Sequence, residues 1–310
     1  MNRFHGVIVP LLSPLTAEGE IDRGALARYL DFVLAGGVNG VFVLSSTGEF
    51  CCLPWRSQRR LVEAVLARVG GRVPVSAGVS TQSLAETIER AREMAAVGVD
   101  AVVSLPPFYF RTSQTELYTW FARIADASPA PLIVYNMPFR TQHNLELETV
   151  HRLRAHGNII GLKDSVNDRE RTRALAAALR GQTQFSYLHG NELLTLEAAA
   201  LGAHGCVPSI ANLAPRFFTD AFRAAAAGES RPGDQERIAA LMGAFGLFEE
   251  HPQDSTTLRL MALKAVLHVL GIMEPYMAQL APPLVPEWLA RARAFVEEHG
   301  LAEAVLPAPA

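Results

Sequence analysis

The chain has 310 residues, of which 49% are hydrophobic and 19% are charged, and its formal net charge is −3. This composition excludes an intrinsically disordered protein, because such chains combine low hydrophobicity with high net charge. The slight negative charge gives no basic field, so we expect no nucleic-acid partner.

The sequence also indicates a soluble protein of the cytoplasm. Met1–Leu15 lacks the cleavage-type ending of a signal peptide, since its apolar run meets Pro10. No apolar stretch reaches the roughly 18 residues that a membrane span needs, so we expect no membrane partner. Cys51, Cys52 and Cys206 match neither a disulfide framework nor a zinc pattern, and we expect them to be free thiols.

Eight short apolar runs, most of them rich in Val and Ile, are typical of buried parallel strands. The runs are Gly6–Leu11, Gly40–Ser45, Val73–Val79, Ala101–Leu105, Leu132–Asn136, Ile159–Lys163, Phe185–His189 and Cys206–Ile210. Amphipathic segments with helical periodicity lie between them. These segments are Asp22–Leu34, Trp55–Val69, Ser83–Val97, Leu117–Ala127, Leu147–Leu153, Arg169–Leu179, Glu192–Leu201 and Pro215–Ala226. Ser83 with Glu86, and Ser113 with Glu116, have the spacing of a capping box at a helix start.

Eight strand–helix units in succession predict an α/β fold, a (β/α)8 TIM barrel with a C-terminal helical extension. A doubly wound open sheet is the alternative, but Pro10–Pro14 lacks the Gly-rich phosphate loop that usually follows its first strand. We expect residues 1–234 to form the barrel with the active site. Residues 235–310, which contain several prolines, are expected to form a C-terminal helical region.

Only two of the 28 Lys and Arg residues are lysines, Lys163 and Lys264. Lys264 lies in the helical pattern Leu258–Leu270, and we expect it to be structural or to face solvent. Lys163 ends the run Ile159–Lys163, at the carboxyl end of a barrel strand, where barrel enzymes hold their catalytic side chains. A period of two places Lys163 on the same face as Gly161, which we expect to leave space for a ligand.

Lys163 has two possible interpretations. A buried ammonium is costly, so it can be neutralised by Asp164 or by another carboxylate. Alternatively, desolvation in a dry barrel mouth favours the neutral amine, which attacks a ketone and forms an iminium. Arginine cannot do this, because it stays protonated. We favour the second interpretation, which predicts Schiff-base chemistry.

Three further features follow predicted strands. Tyr135, in Leu132–Asn136, is expected to project beside Lys163 from a strand ~4.8 Å away and to relay protons, although an ordinary buried tyrosine is the alternative. The turn Ser45–Glu49 suits a site whose backbone N–H groups converge on an anion, and a plain loop is its alternative. Arg140 could bind the carboxylate of a second substrate, or it could be a surface arginine.

Other common catalytic sites are not indicated. The sequence has no Gly-x-Ser-x-Gly elbow, no His-Glu-x-x-His motif and no P-loop. Its nine histidines are scattered without the spacing of metal ligands, so we expect no bound metal. His189 and His204 lie near late strands and are expected to be structural.

Three motifs in matching order resemble those of the dihydrodipicolinate synthase / N-acetylneuraminate lyase family. They are Ser46-Thr47-Gly48-Glu49, Tyr135-Asn136-x-Pro138 and Gly161-Leu162-Lys163-Asp164. The resemblance runs from about Gly6 to about Gly271. It implies a pyruvate-handling class I enzyme that forms a Schiff base on a (β/α)8 barrel and needs no metal or organic cofactor.

The resemblance also implies roles for individual residues. The catalytic residues that it implies are Lys163 as the Schiff-base lysine, Tyr135 as the proton relay, Ser46, and Tyr109, which would reach into a neighbouring subunit's site. The substrate-binding residues that it implies are Thr47, Gly48, Arg140, Gly190 and Val207. Family members are commonly homotetramers built as dimers of dimers, so a homo-oligomer is implied here too.

The motifs do not decide between two subfamilies, one that uses aspartate semialdehyde and one that uses a sugar-derived aldehyde. Arg140 after the tyrosine motif resembles the synthases that condense pyruvate with aspartate semialdehyde, where that arginine binds the carboxylate of the aldehyde. Ser46 stands where synthases usually have Thr, and Ala77–Thr81 replaces their Gly-Thr-Gly type of segment. Asp164-Ser165 after the lysine is similar to 2-keto-3-deoxy-sugar-acid and 4-hydroxy-2-oxoglutarate aldolases.

We therefore expect a lyase or synthase that joins pyruvate, or another 2-keto acid, to an aldehyde or catalyses the reverse cleavage. The synthases of the family are the nearest match. An aldolase or dehydratase acting on a sugar-derived acid is the first alternative. A non-catalytic barrel that binds keto acids is the second, and it is disfavoured because the lysine, the phenol and the turn all occur together.

Overall fold

The computed structural model describes residues 3–229, 231–248 and 256–304. Eight parallel strands form a closed barrel in which each strand pairs with the next and the last pairs with the first. They are β1 Gly6–Pro10, β2 Gly40–Val43, β3 Val75–Gly78, β4 Ala101–Ser104, β5 Leu132–Asn136, β6 Ile159–Asp164, β7 Ser186–His189 and β8 Gly205–Cys206. The predicted (β/α)8 fold is confirmed.

Helices alternate with these strands and cover the outside of the barrel. They are α1 Arg23–Ala35, α2 Trp55–Val69, α3 Leu84–Val97, α4 Gln114–Ala127, α5 Pro138–Thr141, α6 Leu147–Arg154, α7 Arg169–Leu179, α8 Thr195–Ala200 and α9 Pro215–Ala226. The capping box of Ser113 and Glu116 is present at the start of α4. The helix expected over Glu192–Leu201 is divided, because Glu192–Leu194 forms a 3₁₀ turn ahead of α8.

The described part of the C-terminal region packs three more helices beside the barrel, α10 Asp234–Met242, α11 Thr256–Val269 and α12 Pro286–Glu298. The described part of residues 235–310 is largely helical, as expected, whereas residues 249–255 and 305–310 lie outside the described residues. The boundary placed after residue 234 stays a prediction. Among the described residues, no helix has both the length and the apolar character that crossing a bilayer requires.

The last strand is shorter than expected and is a correction to the sequence analysis. Cys206–Ile210 was expected to be extended, but pairing in β8 stops at Cys206 and Ser209–Asn212 forms a 3₁₀ turn. Pro208 explains the early end, because proline has no N–H to donate to a ladder. Val207 still donates its N–H to the carbonyl of His189 at 2.8 Å.

The register of the sheet decides which side chains meet at the carboxyl end of the barrel. Tyr135 in β5 pairs with Lys163 in β6, and Lys163 pairs with Leu188 in β7. A narrow cavity inside the barrel is lined by Ile8, Phe42, Ser76, Val103, Ile133, Lys163, Leu188 and Val207. Since side chains alternate along a strand, Asp164 next to Lys163 faces outwards.

Candidate active site

Lys163 lies inside the barrel at the end of β6, with only 5% of its surface exposed. Its Nζ atom is 4.0 Å from the ring centre of Tyr135 and 5.0 Å from that of Phe42. The two rings are arranged edge to face, with their centres 6.4 Å apart. Two aromatic walls therefore hold the amine in place, and the faces of such rings attract a cation.

Asp164 does not neutralise Lys163, because it is engaged on the outer side of the sheet. Its Oδ2 atom accepts hydrogen bonds from the guanidinium of Arg171 at 2.7 and 2.9 Å and from Asn136 Nδ2 at 3.1 Å. Its Oδ1 atom accepts the N–H of Val166 at 3.0 Å. Within the described ranges, no carboxylate forms an ion pair with Lys163. The interpretation of Lys163 as one half of a buried salt bridge is therefore not supported.

The turn after β2 presents free backbone donors. The N–H groups of Gly48 and Glu49 are used inside the turn, where they donate to the carbonyls of Ser45 and Ser46 at 3.0 and 3.2 Å. The N–H groups of Ser46 and Thr47 have no acceptor in the part of the chain that the structure describes. Adjacent unpaired N–H groups in a turn suit a carboxylate, and the binding of an anion by this turn stays a prediction.

Gly48 shapes this turn. A Cβ atom at this position would lie 2.7 Å from the carbonyl oxygen of Leu11, so a larger residue does not fit. Ser13 Oγ donates to the carbonyl of Gly48 at 2.7 Å and anchors the turn to the loop after β1. The structure explains Gly48 by this close approach, and a direct contact with substrate stays a prediction.

The hydroxyl groups of the expected proton relay converge on one atom. Tyr135 donates its hydroxyl to the sulfur of Met137 at 2.9 Å, and Ser46 Oγ lies 3.9 Å from the same sulfur. Thr47 Oγ1 lies 2.9 Å from Ser209 Oγ, which joins the turn after β2 to the turn after β8. Met137 was not singled out in the sequence, since an apolar residue in a loop carries no chemical signal.

Two glycines near the ends of β6 and β7 lie close to neighbouring groups. A Cβ atom at Gly190 would lie 2.1 Å from Ser165 Oγ, so a larger residue there would require the Ser165 side chain to move, and the expected contact of Gly190 with substrate stays a prediction. Gly161 was expected to leave room for a ligand, and this is wrong. A Cβ atom at Gly161 would lie 2.9 Å from the carbonyl of Ser186, so the missing side chain allows β6 and β7 to pack closely. Val207 is buried and lines the cavity beside Lys163, and its expected contact with substrate stays a prediction.

Tyr109 points away from its own barrel. Its side chain is 76% exposed and stacks edge to face on Phe110, which is 74% exposed, with the ring centres 5.0 Å apart. The loop beneath is fixed, since Phe108 and Tyr109 both donate their N–H groups to Gln82 Oε1 at 3.1 Å. The structure therefore does not bring Tyr109 to Lys163 within one chain.

Arg140 lies on the short helix α5 and is exposed. Its guanidinium donates a hydrogen bond to Thr256 at the start of α11 and lies 4.8 Å from the ring centre of Phe139. The side chain thus reaches from the loop after β5 to the C-terminal region. These interactions do not prevent the guanidinium from binding a second substrate, so that role of Arg140 stays a prediction.

Glu192 is a site residue that the sequence analysis missed. Its half-buried carboxylate, in the loop after β7, accepts the N–H of Ser209 at 2.8 Å. Burial raises the pKa of Glu192, and the nearby positive charge of Lys163 opposes this effect. The helical pattern of Glu192–Leu201 gave no indication of this role, and Glu192–Leu194 forms a 3₁₀ turn. The position of Glu192 two residues after Gly190 was the available signal.

His189 is buried beside Tyr187, and its expected structural role stays a prediction. It is 1% exposed, its Nδ1 atom lies 3.1 Å from the hydroxyl of Tyr187, and its Nε2 atom has no partner among the described residues. Burial lowers the pKa of His189 to about 4, so the ring is neutral at physiological pH. No group of three or more His, Cys, Asp or Glu side chains suited to a metal occurs within the described ranges.

Comparison with known proteins agrees with this geometry. The family model described as the dihydrodipicolinate synthetase family matches residues 3–289. The chain belongs to this family. It is 32% identical to the 4-hydroxy-tetrahydrodipicolinate synthase of Gluconacetobacter diazotrophicus over 264 residues, which cover 78% of this chain and 89% of the relative. The family resemblance drawn from the three motifs is confirmed.

Solved structures of the dihydrodipicolinate synthetase family share the whole fold. The dihydrodipicolinate synthase of Bacteroides thetaiotaomicron is 30% identical with a TM-score of 0.89, covering 96% of this chain and 100% of that one. The chloride-inhibited dihydrodipicolinate synthase of Acinetobacter baumannii, solved with pyruvate, is 27% identical with a TM-score of 0.86, covering 96% and 99%.

Proposed function

We propose that this protein is a Schiff-base enzyme that joins pyruvate to an aldehyde, most like 4-hydroxy-tetrahydrodipicolinate synthase. One observation carries the proposal. The Lys163 amine is buried at the mouth of the barrel against Tyr135, and no carboxylate forms a direct ion pair with it among the described residues. The curated relatives with this name, and the related synthase solved with pyruvate, support the same activity.

The chemistry begins at Lys163 Nζ. The neutral amine attacks the ketone carbon of pyruvate, and the ketone oxygen leaves as water after it has taken up protons. The resulting iminium draws electrons, so the neighbouring methyl group loses a proton and an enamine forms. The enamine carbon then bonds to the aldehyde carbon while the aldehyde oxygen gains a proton. Water hydrolyses the new iminium and restores the lysine.

Proton transfer in these steps falls to Tyr135, whose ring contacts the amine directly. Ser46 extends this relay. The free N–H groups of Ser46 and Thr47 bind the carboxylate of pyruvate and hold its ketone towards Lys163. Val207 forms the apolar wall of the pyruvate pocket.

The second substrate and the assembly belong to the same proposal. Arg140 binds the carboxylate of an acidic aldehyde, and Tyr109 completes the relay of a neighbouring subunit in a homotetramer. The exposed ring of Tyr109, on a loop fixed by Gln82, supports this role. We place the enzyme in the cytoplasm, where its three free cysteines stay reduced.

Borohydride trapping tests the function. Sodium borohydride added with pyruvate should reduce the iminium and leave an irreversible mass increase on the peptide that contains Lys163. The Lys163→Arg variant should fold, show no adduct and have no turnover, because arginine cannot act as the nucleophile. A wild-type protein that binds pyruvate but never gives an adduct would instead be a non-catalytic keto-acid-binding barrel.

Glu192 favours a second candidate, an aldolase or dehydratase acting on a hydroxylated 2-keto acid. Its carboxylate accepts the N–H of Ser209, and carboxylate oxygens can also accept hydrogen bonds from the hydroxyl groups of a substrate. A panel of aldehydes and 2-keto-3-deoxy acids, with pyruvate production or consumption as the readout, separates the two. Glu192→Gln should impair only reactions of hydroxylated substrates.

A further inference from the structure

A buried ion pair ties the turn after β2 to the C-terminal region. Lys264 Nζ in α11 donates to Glu49 Oε1 at 2.6 Å, and both side chains are completely buried. The two residues are 215 positions apart in the sequence. Lys264 also donates to the carbonyl of Tyr276 at 2.6 Å. The second lysine of the chain is therefore fully enclosed, and the expectation that it could face solvent was wrong.

The other oxygen of Glu49 holds a separate piece of the C-terminal region. Oε2 accepts the N–H groups of Ala278 and Gln279 at 2.8 and 3.2 Å. Both carboxylate oxygens are thus occupied by groups from beyond residue 260. Hydrogen bonds to a charged acceptor are stronger than those between neutral groups, so this one side chain fastens two C-terminal segments to the turn.

The backbone of Glu49 makes this attachment relevant to the substrate. Its φ angle of 57° lies in the left-handed region, which a non-glycine residue occupies only when its surroundings impose it. Its N–H donates to the carbonyl of Ser46, at the start of the pair of free N–H groups. This hydrogen bond, 3.2 Å long, links the position of Glu49 to that of the segment formed by Ser46 and Thr47.

We propose that Glu49 and Lys264 are a positioning pair, through which the C-terminal region holds the Ser46–Thr47 turn in the geometry that binds the carboxylate of pyruvate. The inference rests on the proposed function for the identity of that ligand. A buried ion pair contributes little net stability compared with apolar residues of similar size. The pair instead holds the Ser46–Thr47 turn in a fixed position, because without it the left-handed backbone of Glu49 would relax.

The test compares single and double variants of the full chain. Lys264→Met alone leaves a buried charge unpaired and is expected to fold poorly. Glu49→Gln combined with Lys264→Met removes both charges with little change of volume, and this double variant should fold. Titration calorimetry should show its Kd for pyruvate raised about tenfold, in line with a small misplacement of binding groups. Leu153→Ala in α6 is the matched control, since it lowers stability far from the turn.

Each result has one meaning. A double variant that binds pyruvate as tightly as the wild type, or a control that weakens binding equally, overturns the positioning role. Coupling is reciprocal, so pyruvate should also slow hydrogen exchange at the N–H groups of Ala278 and Gln279 in the wild type, and unchanged exchange contradicts the proposal. Wild-type binding without a borohydride adduct overturns only the proposed function.

Discussion

Lys163 Nζ lies 4.0 Å from the centre of the Tyr135 ring, and their two residues are paired across neighbouring strands. The register of β5 and β6 therefore brings the amine and the phenol together without any contribution from a flexible loop. Rigid strands hold a catalytic pair more reproducibly than loops do. Because the Tyr135 ring itself contacts the amine, a variant that keeps the ring and removes the hydroxyl can test the hydroxyl alone.

Tyr135→Phe tests that separation. The ring should still contact Lys163, but the hydroxyl that donates to Met137 is lost. We expect turnover to fall by roughly 10²–10⁴-fold, the contribution of a positioned acid–base group. Steady-state kinetics measure this, and circular dichroism checks that the fold is kept. An unchanged rate would remove Tyr135 from proton transfer.

Arg140→Ala tests the binding of the second substrate. Hydrogen bonds to charged groups contribute about 1.5–3 kcal/mol, so KM for an acidic aldehyde should rise roughly ten- to hundredfold, while KM for pyruvate changes little. Arg59→Ala, in α2, removes another exposed arginine and should change neither value. Equal changes in the KM values for both substrates would show that Arg140 does not bind the second substrate.

Asp164→Asn tests the outer side of the catalytic strand. It leaves Arg171 without its buried carboxylate, and breaking such a pair costs about 3–5 kcal/mol of unfolding free energy. Asp31→Asn removes a carboxylate from the exposed pair with Arg68 and should cost less than about 1 kcal/mol. Urea unfolding measures the free energy of unfolding of both variants. Equal losses would show that the buried pair contributes no more than the exposed one.

His189→Asn tests the pH dependence of stability. Because the pKa of His189 is lowered from 6.5 to about 4 in the folded protein, the unfolded chain binds the proton more tightly. Neutral His189 should therefore contribute fully to the free energy of unfolding of the wild type above pH 6.5. About 3 kcal/mol of this free energy should be lost as the pH falls to about 4. The variant should lose correspondingly less over the same window in urea titrations. Parallel curves for the two proteins would show that His189 is not held neutral.

Alternation along apolar strands was enough to predict the main features of the barrel and the neighbouring positions of Tyr135 and Lys163. The extent of β8 was missed, because the effect of Pro208 on the ladder depends on which partner the strand has. The reason for Gly161 was also missed, since its Cβ position is blocked by the backbone of β7. The alternation of residues along one strand does not predict how neighbouring strands pack against each other.

Contacts between distant parts of the chain were beyond reach of the same reasoning. Glu192 sits in a segment whose composition is helical, and only the fold turns its carboxylate towards the barrel mouth. The pairing of Glu49 with Lys264 joins positions that no periodicity relates. Such contacts depend on how the C-terminal helices pack on the barrel.

The enclosed attachment of Glu49 limits how this chain can be recombined with its relatives. A chimera that took the barrel from this protein and its last helices from another would leave a carboxylate buried without a cation, unless the donor supplied a lysine at the same point on α11. Any single crossover between Glu49 and Lys264 divides the pair in the same way, so we expect successful exchanges to keep the turn after β2 and the C-terminal helices from one parent.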